Sequence, residues 1–141
     1  VPRIVVGIDG SAASTAALRW AVDEARLRGA HVEAWHAWHA GAPADPFAPS
    51  APVDEHAAEA AARAALDTAV DAVDTRDLKE PVERVLVRAI AASALLDAAR
   101  RADLLVVGTR GVGGFAGLLL GSVSQHVISH ADCPVVVIPA P

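Results

Sequence analysis

Gly108, Gly111, Gly113, Gly114 and Gly117 fall close together, with Arg110 among them and Gly121-Ser122 just behind. A glycine inside a regular element costs about 1 kcal/mol relative to alanine. So dense a cluster signals a place where the backbone itself is needed. Glycines can turn successive N–H groups into one concavity that receives phosphate oxygens. Gly121 opens a helix N-terminus, where unpaired N–H groups and the helix dipole favour an anion, and the Ser122 hydroxyl can add a hydrogen bond. Against this stands a plain glycine-rich loop with Ser122 as an ordinary N-cap. Arg110 either offsets phosphate charge or is solvated. A second candidate, Asp9, closes the run "RIVVGIDG". Its carboxylate can accept hydrogen bonds from ribose hydroxyls or hold a Mg²⁺ ion bound to phosphate. It can also form an Asx-turn that starts the next helix, and the two roles are compatible.

Better-known chemistries fail on spacing. A Walker A loop needs a lysine before its Ser/Thr, and position 121 holds Gly. Lys79 is the only lysine and stands just before a strand, which puts it at the opposite sheet edge. The dinucleotide pattern G-x-G-x-x-G fails because its third glycine falls on Ala116. Rapid NTP hydrolysis and NAD chemistry both lose support. No G-x-S-x-G elbow and no catalytic dyad is present. In "WHAWHA", His36 and His39 point to opposite faces of a strand and cannot share a metal, so packing at the core and rim is their reading. His126, His130 and Cys133 have spacing closer to a zinc site, but no fourth ligand is near. The two histidines read instead as caps of a helix C-terminus, where their partial charge is welcome.

The elements that must position these residues alternate. Strand patterns cover 3–10, 30–38, 80–88, 103–108 and 133–139, and helical patterns cover 11–29, 53–74, 91–102 and about 121–131. Ser11 or Ser14 caps the first helix and Gly29 ends it. The Pro- and Ala-rich segment 40–52 reads as a loop. Such alternation makes an α/β fold with a parallel sheet and helices on both faces. Its ligands bind beyond the carboxyl ends of the strands, near a topological switch point. Asp9 and the glycine stretch both follow strands, so both stand at the ligand edge. Val107, ending the fourth strand, is a candidate apolar wall.

Length and composition bound the rest. The 141 residues fit one domain, 1–141, and 53% hydrophobic residues exclude a disordered chain. The net charge of −5 argues against non-specific nucleic-acid binding, so an anion site must be local. The apolar runs are too short to span a membrane. Residues 1–8 lack a basic n-region, so no signal peptide is expected, and a start at Val1 without Met fits a trimmed N-terminus. The single Cys excludes an internal disulfide and suits a reducing cytoplasm.

The spacing Gly108-x2-Gly111-x9-Gly121-Ser122 resembles the ATP-binding signature of the universal stress protein family. "VVGIDGS" (5–11) and "ADCPVVVIP" (131–139) are similar to that family too, so the likeness runs along essentially the whole chain. The resemblance implies an open, Rossmann-like, five-stranded sheet of order 3-2-1-4-5 and a homodimer. It implies a cytoplasmic stress or dormancy role that works through nucleotide occupancy, with ATP as ligand and Mg²⁺ accompanying it. Asp9 matches the family's nucleotide-contacting acid, and the backbone near Ala37 matches its adenine-edge contact. Gly10, Val123 and Ser124 join the implied nucleotide-binding set with Gly108, Arg110, Gly111, Gly113, Gly121 and Ser122. One departure stands out. Many members carry a glycine after the third strand, where this chain has Ala89 and Ile90, which implies a tighter or differently shaped adenine pocket.

The first function hypothesis is an adenine-nucleotide-binding regulatory protein whose occupancy alters a surface read by a partner protein. The second is a slow ATPase or nucleotidyl-group enzyme on the same site, with Asp9 holding Mg²⁺ and Arg110 offsetting developing charge. The third is a nucleotide-free packing module that dimerises. Dimerisation is expected through "PVVVI" (134–138). This apolar strand lies at a sheet edge in the implied order and has neither charge nor bulge to blunt it.

Overall fold

Among the described residues nine elements alternate: β1 (Arg3–Ile8), α1 (Ala12–Arg28), β2 (His31–Trp38), α2 (Glu55–Asp71), β3 (Glu83–Arg88), α3 (Ala91–Ala99), β4 (Leu104–Gly108), α4 (Ser122–His130) and β5 (Val135–Ile138). They are seen in a computed structural model that describes residues 1–39, 54–109 and 120–141. The loop expected at 40–52, and Arg110, Gly111, Gly113, Gly114 and Gly117, lie outside the described residues. The five strands form one parallel sheet in the order β3-β2-β1-β4-β5.

Strand alternation divides the core between two faces. Ile4, Val6 and Ile8 of β1 pack with Val32 and Ala34 of β2 under Leu18, Val22, Leu66 and Val70 of α1 and α2. Val5 points the other way, with Leu105 and Val107 of β4, against Leu95 and Ala98 of α3 and Val127 of α4. Leu18, Leu66 and Leu105 are completely buried, and truncating such a leucine to alanine costs about 2–5 kcal/mol. Alanines at 17, 21 and 25 let α1 lie close on the sheet.

Local chemistry sets the element ends. Ser11 is the N-cap of α1, its hydroxyl accepting from the Ser14 N–H at 3.1 Å, an arrangement worth about 1 kcal/mol. Asp54 caps α2 the same way through Ala57 N–H. The helices are shorter than the periodicity suggests. α3 stops at Ala99 because Arg101 and Ala102 bond back three residues, to Ala98 and Ala99, in a tightened last turn. β1 stops at Ile8 because Asp9 and Gly10 already belong to a turn.

Candidate functional site at the switch point

β1 pairs with β2 as far as Ile8↔His36 but with β4 only as far as Val6↔Val106. The chain leaves β1 toward β2 on one side, while β4 lies on the other. A crevice therefore opens between the carboxyl ends of β1 and β4, at the one place where the strand order reverses. Asp9 and Gly10 stand on one lip, and Val107, Gly108 and Thr109 on the other.

The β1 lip is a preorganised turn. Asp9 Oδ1 accepts from the Ser11 N–H at 2.9 Å and from the Ser11 hydroxyl at 2.5 Å. The Asx-turn reading of Asp9 is therefore correct, and the carboxylate stays solvent-exposed with Oδ2 outside these bonds. The Asp9 N–H donates to the Ser14 hydroxyl at 3.3 Å, and that hydroxyl donates to Ser11 C=O at 3.1 Å. Gly10 has φ +82°, a left-handed conformation that favours glycine.

On the β4 lip, packing accounts for Gly108. A Cβ on Gly108 would lie 2.7 Å from Ala13 Cβ and 2.9 Å from Ala13 C. Gly108 is glycine because the first turn of α1 packs directly against it. Val107 is 4% exposed and belongs to the core under α3 and α4, so it supports the crevice from below instead of forming an open wall. Thr109 N–H donates to Ile138 C=O at 2.9 Å, and Gly121 N–H donates to Thr109 C=O at 2.6 Å. The last bond joins the two residues that flank segment 110–120.

Gly121 thereby spends its own N–H internally. It is the N-cap of α4, with φ −75° and ψ 167° and no side-chain cap. That conformation is open to any residue, so the backbone does not require glycine here. The first helical bond runs from Gln125 N–H to Gly121 C=O. The N–H groups of Ser122, Val123 and Ser124 therefore have no intrahelical acceptor. Ser122 is exposed. Ser124 differs: it is 4% exposed, and its hydroxyl donates to Gly108 C=O at 2.5 Å. Its side chain braces α4 onto β4, which leaves only its N–H for a ligand. Thr109 and the Ser124 brace have no signal in the sequence, since both act through backbone carbonyls of a strand end.

On the far side of β1, β2 runs beyond the last paired residue of its neighbour, leaving the Ala37 backbone without a β1 partner. His36 Nδ1 lies 2.7 Å from Ile8 C=O and closes the end of β1, whereas His39 is exposed. Ala89 N–H donates to Trp38 C=O at 2.9 Å, and the Ile90 side chain is 65% exposed. Ala89 lines a groove of 460 Å³ with Trp35, Val87 and Arg100, along the face of β3 beside α3 and away from the crevice. At the end of α4, His130 Nδ1 lies 3.0 Å from His126 C=O and the two rings stack at 4.6 Å, which is the C-terminal role expected of His130. Burial pushes the Cys133 thiol above its ordinary value.

The family model for the universal stress protein family matches residues 1–139. The chain belongs to this family. A universal stress protein of Mycolicibacterium smegmatis is 39% identical over 135 residues, covering 96% of this chain and 45% of the relative. This universal stress protein thus spans about half the length of the curated relatives it matches. Among solved structures it is similar to a universal stress protein from Lactobacillus plantarum, with a TM-score of 0.78, 26% identity and 97% coverage of both chains. It is also similar to one from Archaeoglobus fulgidus in complex with dAMP, with a TM-score of 0.68, 29% identity and 98% coverage of both chains.

Proposed function

We propose that this universal stress protein binds an adenine nucleotide, ATP foremost, in the crevice between β1 and β4. The observation that carries this reading is the start of α4. Three N–H groups lie without intrahelical acceptors behind a glycine that its backbone conformation does not demand. A phosphate accepting from Ser122, Val123 and Ser124 N–H explains both features. The Ser122 hydroxyl and Arg110, with Gly111 and Gly113 of the preceding segment, complete the phosphate contacts. Asp9 and Gly10 receive the ribose, the Ala37 backbone reads the adenine edge, and Val107 and Gly108 support the floor. The dAMP-bound relative from Archaeoglobus fulgidus supports an adenine nucleotide as the ligand class. Mg²⁺ accompanies the phosphates, and the outward oxygen of Asp9 is the carboxylate available to it. Residues 1–141 act as one nucleotide-binding unit.

Nucleotide occupancy, and not fast turnover, is the output in this reading. The only lysine, Lys79, precedes β3 at the opposite edge of the sheet, so no lysine reaches the phosphates. Occupancy orders a surface read by a partner protein in stress or dormancy. A cytoplasmic setting fits the single cysteine, which cannot form an internal disulfide. The protein pairs with a second copy through β5. Pro134 and Ile138 direct their carbonyls to Leu105 and Thr109 N–H, so the backbone of Val135 and Val137 faces the outer edge. Two such edges can meet antiparallel about a two-fold axis.

The test of the nucleotide reading has two parts. Mass spectrometry of the small molecules released from protein purified without added ligand should detect an adenine nucleotide. Calorimetric titration of ATP into wild type and Gly121→Val should then show the valine blocking phosphate approach while the fold persists. Equal ATP affinity in the two proteins refutes the phosphate assignment.

A further inference from the structure

At the opposite edge of the sheet, a second cluster lies outside the crevice. His31 and Glu33 of β2 and Glu83 of β3 offer ligand atoms within 4.8 Å of one another. Glu33 and Glu83 are register partners on adjacent strands. Glu33 is 6% exposed. One of its oxygens is held by Arg3 Nε at 3.1 Å and the other by the Trp35 indole N–H at 2.8 Å. A carboxylate has about four lone-pair sites, so Glu33 keeps acceptor capacity after both contacts.

The imidazole of His31 is the unresolved part of this cluster. Nε2 lies 2.9 Å from a Glu83 oxygen, and Nδ1 lies 3.1 Å from a Glu80 oxygen. Nδ1 is buried and makes no hydrogen bond of acceptable geometry. A neutral imidazole has one N–H and one lone pair, so it cannot donate to Glu83 and Glu80 together. Two carboxylates flank the ring, Glu83 at Nε2 and Glu80 at Nδ1, and the buried Glu33, held by Arg3, lies beside Glu83 on the neighbouring strand. His31, Glu33 and Glu83 thus bring three ligand atoms together.

We propose that His31 Nε2, Glu33 and Glu83 form a binding site for a divalent first-row metal ion of the Zn²⁺ class, with Glu80 orienting the ring through Nδ1–H. One imidazole nitrogen with carboxylate oxygens is a donor set that such ions accept. A tetrahedral centre with bonds of about 2.0–2.1 Å separates its ligand atoms by about 3.3 Å. The ligand atoms, within 4.8 Å of one another, would have to draw together to that spacing. A carboxylate on the second ring nitrogen fixes the tautomer that coordination needs, and Glu80, 3.1 Å from Nδ1 but without a hydrogen bond to it, would take that role by a rotation of its exposed side chain. Arg3 and Trp35 fix Glu33 in the same way. Three protein ligands leave a position for water. The site ties the edge strand β3 to β2 and stands independently of the nucleotide reading.

The experiment is calorimetric titration of Zn²⁺ into metal-depleted protein at pH 7 without nucleotide. One saturable Zn²⁺ per chain is expected, with a rise in melting temperature. Glu83→Gln alters an exposed side chain and keeps the fold, which far-UV circular dichroism verifies. It should weaken Zn²⁺ by more than about tenfold, and Glu80→Gln by about tenfold. The double variant His126→Ala, His130→Ala should leave the affinity unchanged. The proposal is overturned if wild type shows no saturable binding, if Glu83→Gln binds as tightly as wild type, or if the His126/His130 variant loses the site. It is also overturned if the His31 ring NMR signals move with pH but not with Zn²⁺, since a second proton would then resolve the cluster.

Discussion

Gly108→Ala adds one methyl group at the tightest contact of the crevice. The new Cβ would meet Ala13 Cβ at 2.7 Å and Ala13 C at 2.9 Å. Carbon atoms prefer about 3.5–4.0 Å, so the first turn of α1 must retreat by roughly 0.8 Å. That turn is not free to move. Ser11 caps it, Asp9 braces Ser11, and Ala17 and Leu18 are completely buried one turn later. Overpacking against such a frame costs about 1–3 kcal/mol, which lowers the melting temperature by about 3–10 °C for a chain of this size. Differential scanning calorimetry measures the shift. ATP titration into the same variant should also show weaker binding, because α1 and β4 both border the crevice. Gly121→Val is the control. It occupies an extended conformation without a side-chain cap, so its stability should change by less than about 1 kcal/mol while ATP binding is lost. A Gly108→Ala melting temperature within about 1 °C of wild type would refute the close-approach argument.

Asp9→Asn keeps an oxygen for the two Ser11 donors but removes the charge. Stability measured by urea titration should hold while ATP affinity falls, and Asp9→Ala should lower both. Ser124→Ala removes the buried brace to Gly108 C=O and should cost about 0.5–1.5 kcal/mol in the same titration. Val137→Pro removes an outward N–H of the edge strand without touching the bonds to β4, and light scattering should report monomers where wild type gives dimers. Cys133 should react with iodoacetamide more slowly at pH 8 than a free thiol does, because burial raises its pKa and depletes the thiolate. In an acid titration followed by NMR, Asp74 should stay ionised when ordinary carboxylates are protonated. Arg76 donates to both its oxygens and holds it well below the usual range. Its depressed folded value means that its contribution to stability is present above the ordinary carboxylate pKa and lost as pH falls through the folded value, and Arg76→Ala should shrink the difference, leaving the part due to the backbone N–H of residue 76.

Periodicity alone determined the order of elements here. Apolar runs of period two or unbroken length marked the five strands, and Ala-rich runs marked the helices, because burial on a sheet face imposes those spacings locally. Alternation then required a parallel sheet, and the turn residues Asp9-Gly10 and the cap Gly121 could be read in place because caps and turns are made by neighbours in sequence. The purpose of Gly108 was not legible. It resembles a phosphate-loop glycine until α1, nearly a hundred residues earlier in the chain, is laid against it. Ser124 and Val107 likewise read as ligand residues, and only packing showed one hydroxyl spent on a carbonyl and one side chain sunk in the core. Glu33 carried a faint signal, a charge within a buried strand, but its partners Arg3 and Glu83 come from other strands. Such contacts arise from register between distant segments, and register is fixed only when the sheet closes.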